Sequence, residues 1–421
     1  MQQQLKKQLI ENKEYKSIVF VAHEFGLYPG HGGIASYLYN ICKWLLENTN
    51  FNISVIAEKI DCKSDLRSYA KFNAFELHGN NLIKKRDKVV DICKKLYPSY
   101  IECAEFRALG LHLVKIKSEG KYFQDTIVVT NNHTATKECY EWSCLKDFSF
   151  ADDISISISN SEREQMSYSD YCIAPSSFLA NYVTKNYNLR KKALVFANPF
   201  FNKLMNKTQI INKFQDLIDF NEYKKTFNIT LISRFEGRKN QLRLVKSIEK
   251  LLDNNQKCRL FLAGNTSIIP GTNHDYRSLV YNSIKPNHIK HIFFYDFMEL
   301  EAQEKLMAIT NLSVMPSTFE NQPMAMIETV LRGIPVIGSK YSGIADYSPE
   351  SMLFDPFDDN SLYNVIKNFI NLPEDSKIDL VNRQYTKLLS FIDPQKSILP
   401  RFCLKADTTP KNYLNMLKDK I

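Results

Sequence analysis

Two glutamates eight positions apart, Glu320 and Glu328, flank the start of a predicted helix. Pro323 suits the first helical position, because its φ is already helical and its missing N–H costs nothing there. Gly333 and Pro335 end the helical run. The helix start leaves backbone N–H groups free to bind an anion. This arrangement suits a ligand with hydroxyls on both sides of a diphosphate, which is the layout of a nucleotide sugar.

A second charged segment follows the apolar run 229–233, which the β-branched residues predict as a strand. Arg234 ends this strand and Lys239 follows five positions later, before a helical pattern over 242–252. Fixed cations at this place could stabilise the negative charge of a bound anion. Arg238 is a competing cation, and Asn240 tolerates the tight backbone turn that the helix start requires.

The Glu-x7-Glu pattern, with predicted strands at 313–317 and 333–339 on either side, closely resembles that of the retaining glycosyltransferases of family 4. The Arg234–Lys239 segment resembles the motif with which that family holds the donor diphosphate. The resemblance covers roughly residues 16–390. It implies an α/β chain with the GT-B fold, in which two Rossmann-like β/α/β domains face each other across a cleft.

The resemblance also implies roles for individual residues. Glu320 would hold the hydroxyls of the donor sugar and Glu328 those of the ribose, while Arg234 and Lys239 would bind the diphosphate. The remaining residues expected at the donor are Asn321, Gln322, Met324 and Ala325 at the helix start, and Tyr295 with Asp296 near the base.

A glycine-rich loop follows the first predicted strand, 17–22. It resembles the first glycine-rich loop of the family, whose amides, here those of Gly32 and Gly33, would approach the donor from the opposite domain. The stretch Gly30–Ala35 also matches G-x-G-x-x-A, with Glu58 after the next strand, so a NAD-dependent oxidoreductase is an alternative. Against it, seven residues separate the strand from the first glycine, whereas that fingerprint turns tightly.

His133 follows the predicted strand 126–130, at the sheet edge where open α/β sheets bind ligands. It resembles the family histidine that faces the donor sugar and the reaction centre, and is therefore a catalytic candidate. A cap of the following helix is the alternative role. Glu102, Glu105 and Arg107 accompany the strand over 100–104 and are predicted acceptor contacts.

The length of 421 residues exceeds one core of usual size and predicts two domains. We expect a polar N-terminal extension over 1–15, an acceptor-side domain over 16–199, a nucleotide-sugar-binding domain over 200–395, and a segment over 396–421 that crosses back. No apolar run is long enough to span a membrane and no secretory signal is recognisable, so a cytoplasmic protein is expected. Nine cysteines without a C-x-x-C pair indicate reduced thiols.

The net charge is +9, and basic residues cluster on a predicted helix between Lys84 and Lys95. This cluster is either a solvated helix face or a docking surface for an anionic membrane. The second interpretation would place the protein at the inner face of the plasma membrane. The chain shows no nucleic-acid-binding motif.

These observations predict a retaining glycosyltransferase that moves a sugar from a nucleotide diphosphate sugar, with UDP as the expected nucleotide, to a glycan or lipid-linked acceptor. Surface polysaccharide, lipopolysaccharide or capsule synthesis is the expected setting. The chain has no Asp-x-Asp triplet, so metal-independent turnover without a cofactor is expected. A GT-B epimerase or phosphorylase and a silent scaffold protein are further alternatives.

Overall fold

The structure, a computed structural model, describes residues 17–27, 31–61, 64–143, 152–201, 203–269 and 272–406. The predicted extension over 1–15 lies outside these ranges. The chain forms two compact units, and neither is continuous in sequence. Unit 1 comprises Met1–Lys137, Asp152–Phe201 and Ile392–Ile421, and unit 2 comprises Glu138–Ala151 and Asn202–Phe391.

Unit 1 is built on a sheet of seven parallel strands: β1 (Ser17–Phe25), β2 (Asn52–Ile60), β3 (Phe72–Glu76), β4 (Tyr100–Ala104), β5 (Ile127–Asn131), β6 (Tyr171–Ala174) and β7 (Leu194–Val195). The strand order is β3-β2-β1-β4-β5-β6-β7. The helices between these strands in the sequence are α1 (Gly33–Asn48), α2 (Leu82–Leu96), α3 (Leu111–Ser118), α4 (Thr136–Glu141), α5 (Asp153–Tyr168) and α6 (Ser177–Asn186). Of these helices, α4 begins in unit 1 and ends in unit 2.

The central strand β1 explains how the core of unit 1 is divided. Its residues alternate between two apolar clusters: Ile18 and Phe20 pack in one, and Val19 and Val21 pack in the other. Successive side chains of a strand point to opposite faces, so a strand covered on both sides is apolar throughout. This is the burial pattern of a parallel sheet with helices on both faces.

Unit 2 has a second parallel sheet, of six strands: β8 (Phe227–Ile232), β9 (Cys258–Ala263), β10 (Ile292–Tyr295), β11 (Leu312–Val314), β12 (Val336–Ser339) and β13 (Leu353–Phe354). Their order is β10-β9-β8-β11-β12-β13. The helices of this unit are α7 (Lys207–Phe214), α8 (Phe220–Tyr223), α9 (Gln241–Asp253), α10 (Tyr276–Asn282), α11 (Leu300–Ile309), α12 (Met324–Leu331), α13 (Ser361–Ile370) and α14 (Glu374–Phe391).

Both sheets confirm the predicted fold class of two Rossmann-like α/β domains. In each sheet the strand order reverses once, between β1 and β4 in unit 1 and between β8 and β11 in unit 2. Open α/β sheets bind ligands outside the carboxyl ends of the strands at this reversal. The segments that follow these four strands are therefore the first places to look for a site.

The structure corrects some predicted boundaries. Strand β1 runs to Phe25, so that His23 and Glu24 belong to the strand and not to the loop after it. Strand β3 was not predicted, because its segment is short and only partly buried. Within the described part of the chain, every helix falls short of the length and apolarity that a membrane crossing needs.

The C-terminal segment is anchored to unit 1 by a buried arginine. After α15 (Pro394–Ser397), Arg401 is fully buried. Its guanidinium donates to the hydroxyl of Tyr37, to Glu102 Oε1 at 3.3 Å and to the carbonyl of Phe196 at 3.1 Å. Glu102 also accepts hydrogen bonds from Tyr100 and Asn131. The carboxylate and the guanidinium therefore neutralise each other inside the core.

Removing Arg401 should expose the cost of this arrangement. The variant R401M leaves the buried Glu102 charge without its counter-ion, so we expect the free energy of unfolding of unit 1 to fall by about 3–5 kcal/mol. The double variant E102Q/R401M should recover much of this loss, because no charge is left uncompensated. Urea unfolding followed by circular dichroism tests both, and a loss under about 1 kcal/mol for R401M would contradict the assignment.

Candidate functional site

Two loops of unit 2 meet at the reversal between β8 and β11. The loop after β8 contains a short 3-10 helix, Gly237–Lys239, and the loop after β11 carries Glu320. Glu320 is held in place by its backbone, whose carbonyl accepts the N–H of Gly343 at 2.9 Å. Only 6% of Glu320 is exposed, so its carboxylate needs partners within the protein.

Two cations supply those partners. Arg238 Nη1 lies 3.2 Å from Glu320 Oε1 and 3.1 Å from Oε2, and Lys239 Nζ pairs with Oε2 of the same carboxylate. Arg238 Nη2 also donates to Glu236 Oε1 at 3.0 Å. Of the two predicted cations, only Lys239 contacts Glu320. Arg238, considered a competitor in the sequence, completes the cluster instead.

The charges of the cluster shift one another's pKa values. Burial alone would raise the pKa of Glu320, but Arg238 and Lys239 outweigh it and lower that pKa to about 2. Burial and the neighbouring Arg238 lower the pKa of Lys239, against the opposing effect of Glu320. Glu320 is therefore ionised at neutral pH, and its charge is the counter-ion of the two cations.

Asn240 begins the helix that follows the cations. Its φ of 53° is left-handed, as expected from the tolerance of asparagine for this conformation, and its side chain caps α9 by accepting the N–H of Arg243 at 3.2 Å. The cap ends the 3-10 helix directly after Lys239. This local geometry fixes the backbone positions from which the side chains of Arg238 and Lys239 extend.

The helix that carries the second predicted glutamate is shorter than expected. It begins at Met324, and Pro323 is its N-cap instead of its first residue. Glu328 is half-buried in the second turn, and burial raises its pKa in spite of the opposing effect of Arg332. The N-cap residue Pro323 has no side chain that could accept a hydrogen bond from the first amides of the helix, those of Met324 and Ala325. Asn321 and Gln322 before it are both buried.

A cavity of about 410 Å³ opens beside the cations. Arg234 lines it with an exposed side chain, together with Glu236 and Arg238. The other lining residues come from two parts of unit 2. One is the segment that unit 2 takes from the first half of the chain, and the other is the loop between β9 and α10 with the start of α10: Cys139, Tyr140, Ser143, Ser267, Ile268, Ile269 and Tyr276. Charged and apolar surfaces thus face the same space.

The segment from the first half of the chain was not predicted to belong to unit 2. Trp142 packs its ring against Phe319, with centroids 3.8 Å apart, directly before Glu320 in the sequence. No spacing or motif in the sequence pairs these two rings. The signal available was only that one of the chain's two tryptophans stands here.

The residues predicted near the base lie at the end of β10. Tyr295 is its last residue, and its carbonyl accepts the N–H of Gly264 at 3.2 Å. Asp296 pairs with Arg277 at 2.5 Å, and Arg277 also donates to the carbonyl of Gly264. The carboxyl ends of β9 and β10 are therefore tied together. The cavity described above is not lined by either of the two predicted base neighbours.

In unit 1, His133 lies two residues beyond β5. Its ring packs on Tyr37 with centroids 5.1 Å apart, and burial together with the nearby Arg401 lowers its pKa to about 3. The imidazole is therefore neutral at physiological pH. The predicted placement of His133 at the carboxyl end of the sheet is observed.

The three predicted acceptor contacts are placed differently from expectation. Glu102 lies inside β4, is buried and bonds to Arg401, so it belongs to the core. Glu105 is fully buried and accepts N–H groups of the protein backbone. Only Arg107 keeps a partly exposed side chain, which pairs with Glu58 at 2.8 Å. The sequence showed that these residues accompany a strand end, but it could not show that two of them are buried.

The glycine-rich loop is described only in part, because Gly30 lies outside the described residues. Gly32 precedes α1, and its N–H donates to Glu24 Oε1 at 2.9 Å, whereas Gly33 begins the helix with open space around it. An anion could take the Gly32 amide only if Glu24 moved away. Both oxygens of Glu58, expected at the ribose of a dinucleotide, are already paired with Lys85, His23 and Arg107. This arrangement speaks against the oxidoreductase alternative.

The basic cluster lies on α2, but not all of it is at the surface. Lys85 and Arg86 are buried, and Lys85 pairs with Glu58 at 2.6 Å. Lys84, Lys88 and Lys95 are exposed. A vesicle-binding test must therefore leave Lys85 unchanged, because its charge holds the core of unit 1.

The opposite pKa shifts of Glu320 and Glu328 predict opposite pH dependences of stability. A carboxyl whose pKa is lower in the folded than in the unfolded chain stabilises the fold at pH values above its pKa in the unfolded chain, about 4.3. This stabilisation is lost as the pH falls from about 4.3 towards 2. We expect wild type to lose roughly 2 kcal/mol more than E320Q between pH 6 and 3. E328Q serves as the matched control, because a raised pKa gives stability that is lost as pH rises. Urea unfolding across this range measures both, and parallel curves for wild type and E320Q would contradict the ion-pair assignment.

Comparison with known proteins finds a family match for part of unit 2 and similar folds for the whole chain. Residues 213–384 match the model of glycosyl transferases group 1. No curated protein matches the sequence significantly. Sucrose-phosphate synthase from Thermosynechococcus elongatus has the same fold, with a TM-score of 0.70 and 14% identity over 96% of this chain and 100% of that chain.

Two further solved structures are similar. Anabaena HepE in complex with UDP-glucose has a TM-score of 0.59 and 15% identity over 96% of this chain and 99% of its own. The lipopolysaccharide outer core galactosyltransferase WaaB has a TM-score of 0.61 and 16% identity over 90% of this chain and 98% of its own. The chain thus has the GT-B fold of these proteins, and its residues 213–384 are similar to the glycosyl transferases group 1 family.

Proposed function

We propose that this protein transfers a glycosyl group from a nucleotide diphosphate sugar to a hydroxyl acceptor, with retention of configuration and without a metal ion. The observation that carries the proposal is the cluster of the half-buried Arg238 and Lys239 with the buried Glu320, beside the 410 Å³ cavity. It lies at the strand-order reversal of unit 2, within the glycosyltransferase domain.

The cluster can exchange one anion for another. Arg234, Arg238 and Lys239 supply three positive charges, and Glu236 and Glu320 supply two negative ones. A diphosphate that enters the cavity would take the cations as partners, and Glu320 would then be free to accept hydrogen bonds from sugar hydroxyls. The same cations would stabilise the charge that develops on the diphosphate as the glycosidic bond breaks.

The second glutamate suits the other end of the donor. Glu328 is half-buried in α12, where it would accept hydrogen bonds from the ribose hydroxyls. The uncapped helix start between the two glutamates offers amides to the diphosphate or the sugar. In this proposal the chain's residues position the donor and stabilise charge, and no side chain becomes a covalent nucleophile.

The proton of the acceptor hydroxyl would pass to the departing diphosphate on the face from which that group leaves. His133, neutral because of its lowered pKa, would line the sugar without adding charge next to it. A UDP-sugar is the proposed donor, in line with the UDP-glucose that HepE binds. A glycan or lipid-linked saccharide of surface polysaccharide, lipopolysaccharide or capsule synthesis is the proposed acceptor.

A thermal-shift panel with UDP, GDP, ADP, CMP and NAD, each in EDTA and in Mg²⁺, identifies the nucleotide. A ligand at a hundred times its Kd should stabilise the folded state by about 2.7 kcal/mol. Stabilisation by UDP in EDTA supports the proposal. Stabilisation by NAD alone would favour an oxidoreductase, and turnover that requires added Mn²⁺ would contradict metal independence.

Removing either charge of the cluster should slow glycosyl transfer. We expect E320Q and K239A each to lower the transfer rate at least about tenfold, which corresponds to about 1.4 kcal/mol of transition-state stabilisation. K246A is the matched control, because Lys246 is a cation of the same unit whose partner, Glu249, lies outside the site. Near-normal rates in both cluster variants would refute the site assignment.

A lipid-linked acceptor would place the enzyme on an anionic membrane through the exposed lysines of α2. Each basic residue near such a surface contributes about 1 kcal/mol, so reversing Lys84, Lys88 and Lys95 to Glu should weaken vesicle binding by at least roughly a hundredfold. Pelleting with phosphatidylserine vesicles measures the effect. A triple reversal of the exposed Lys185, Lys191 and Lys192 controls for net charge, and equal loss in both would contradict a specific surface.

A further inference from the structure

Two buried carboxylates lie beneath the turn that carries His133. Glu105 follows β4 and Glu162 lies in α5, and both side chains are fully buried. The turn itself connects the end of β5 to α4. Buried carboxylates need hydrogen-bond donors, and this turn supplies several of them.

The hydrogen bonds show how the turn is held. Glu105 Oε1 accepts the N–H of His133 at 2.7 Å and that of Thr134 at 2.6 Å. Glu162 accepts the N–H of Thr136 at 2.7 Å and its hydroxyl at 2.8 Å, and also the N–H of Arg107 at 3.0 Å. One acceptor oxygen of Glu105 therefore binds two consecutive amides on either side of the His133 carbonyl.

The backbone of this turn is strained. Thr134 has a φ of 150°, a conformation that L-residues other than glycine rarely adopt. Such a conformation persists only where the surroundings impose it, and it occurs most often at functional sites. The two hydrogen bonds to Glu105 hold the peptide units on both sides of His133.

Among the described residues, none of the charged groups near Glu105 serves as its counter-ion. Glu162 faces it from α5, Arg107 directs its charge to Glu58, and Arg86 of α2 donates to the carbonyl of Arg107. Burial raises the pKa of Glu105 to about 8, against the opposing effect of the amide bonds. At neutral pH it is a carboxylic acid, which holds the amides without placing a negative charge beneath the His133 turn.

We propose that Glu105 is a positioning residue that holds the His133 turn in its strained form and so keeps the imidazole against Tyr37. This inference rests on the proposed function for its kinetic consequence, but the position of the ring can be observed without any activity. The sequence grouped Glu105 with acceptor contacts. Its burial assigns it instead to the support of the catalytic candidate.

The position of the ring is readable by NMR. In wild type the lowered pKa of His133, about 3, means that one of the chain's eight histidines should not titrate between pH 5 and 8. In E105M, which has similar length but no acceptor, we expect the turn to relax and His133 to titrate near its ordinary pKa of about 6.5. The spectrum of H133Q assigns the signal.

Kinetics gives the second readout. We expect E105M to lower kcat at least about tenfold with the donor KM changed less than about twofold, because the donor contacts lie in unit 2. E105Q, which keeps an acceptor oxygen and matches the neutral acid, should leave His133 silent and restore most of kcat. If E105M does not fold, E105D, too short to hold both amides, should show the same changes in weaker form. E76M, an exposed glutamate of β3, controls for handling.

The outcomes separate this inference from the proposed function. A silent His133 and normal kcat in E105M would overturn it, as would a titrating His133 with unchanged kcat. Equal losses in E105Q and E105M would also overturn it, because the acceptor oxygen would then be irrelevant. If wild type shows no transferase activity, the proposed function fails. In that case a His133 signal that responds to E105M but not to E105Q still shows that Glu105 positions the His133 ring.

Discussion

Buried charge imposes one constraint on this protein: an ionised carboxylate inside either unit must be balanced by a cation of the same unit. In unit 2 the carboxylate of Glu320 is balanced by Arg238 and Lys239. In unit 1 the carboxylate of Glu102 is balanced by Arg401. Separating the partners of such a pair is costly, so the segments that carry them cannot move independently.

The two pairs serve different ends. The Glu102–Arg401 pair is enclosed by the core and joins the C-terminal segment to the sheet of unit 1. The Glu320 cluster instead borders a cavity, which Arg238 lines. The distinction is one of access to solvent and not of residue type. It separates a charge pair that stabilises the fold from one that suits ligand binding.

The sequence was sufficient where structure is local. The apolar run 229–233 became β8 (Phe227–Ile232), and Asn240 adopts the left-handed turn expected of it. The sequence was not sufficient for contacts between distant positions. Arg238 and Glu320 are 82 positions apart and Arg401 and Glu102 are 299 apart, and no periodicity relates them. Burial of Glu105 was likewise invisible, because a glutamate after a strand is compatible with either solvent or core.

The interleaving of the units has a consequence for recombination. Unit 2 takes Glu138–Ala151 from the middle of unit 1, and unit 1 takes Ile392–Ile421 from beyond unit 2. A hybrid protein joined at residue 201 alone would give the recipient a sheet without its own Arg401 and a cavity wall from a foreign Tyr140. Exchange of the units with a relative therefore requires four junctions, and the short segment 138–151 must travel with the rest of unit 2 and not with the strands that flank it.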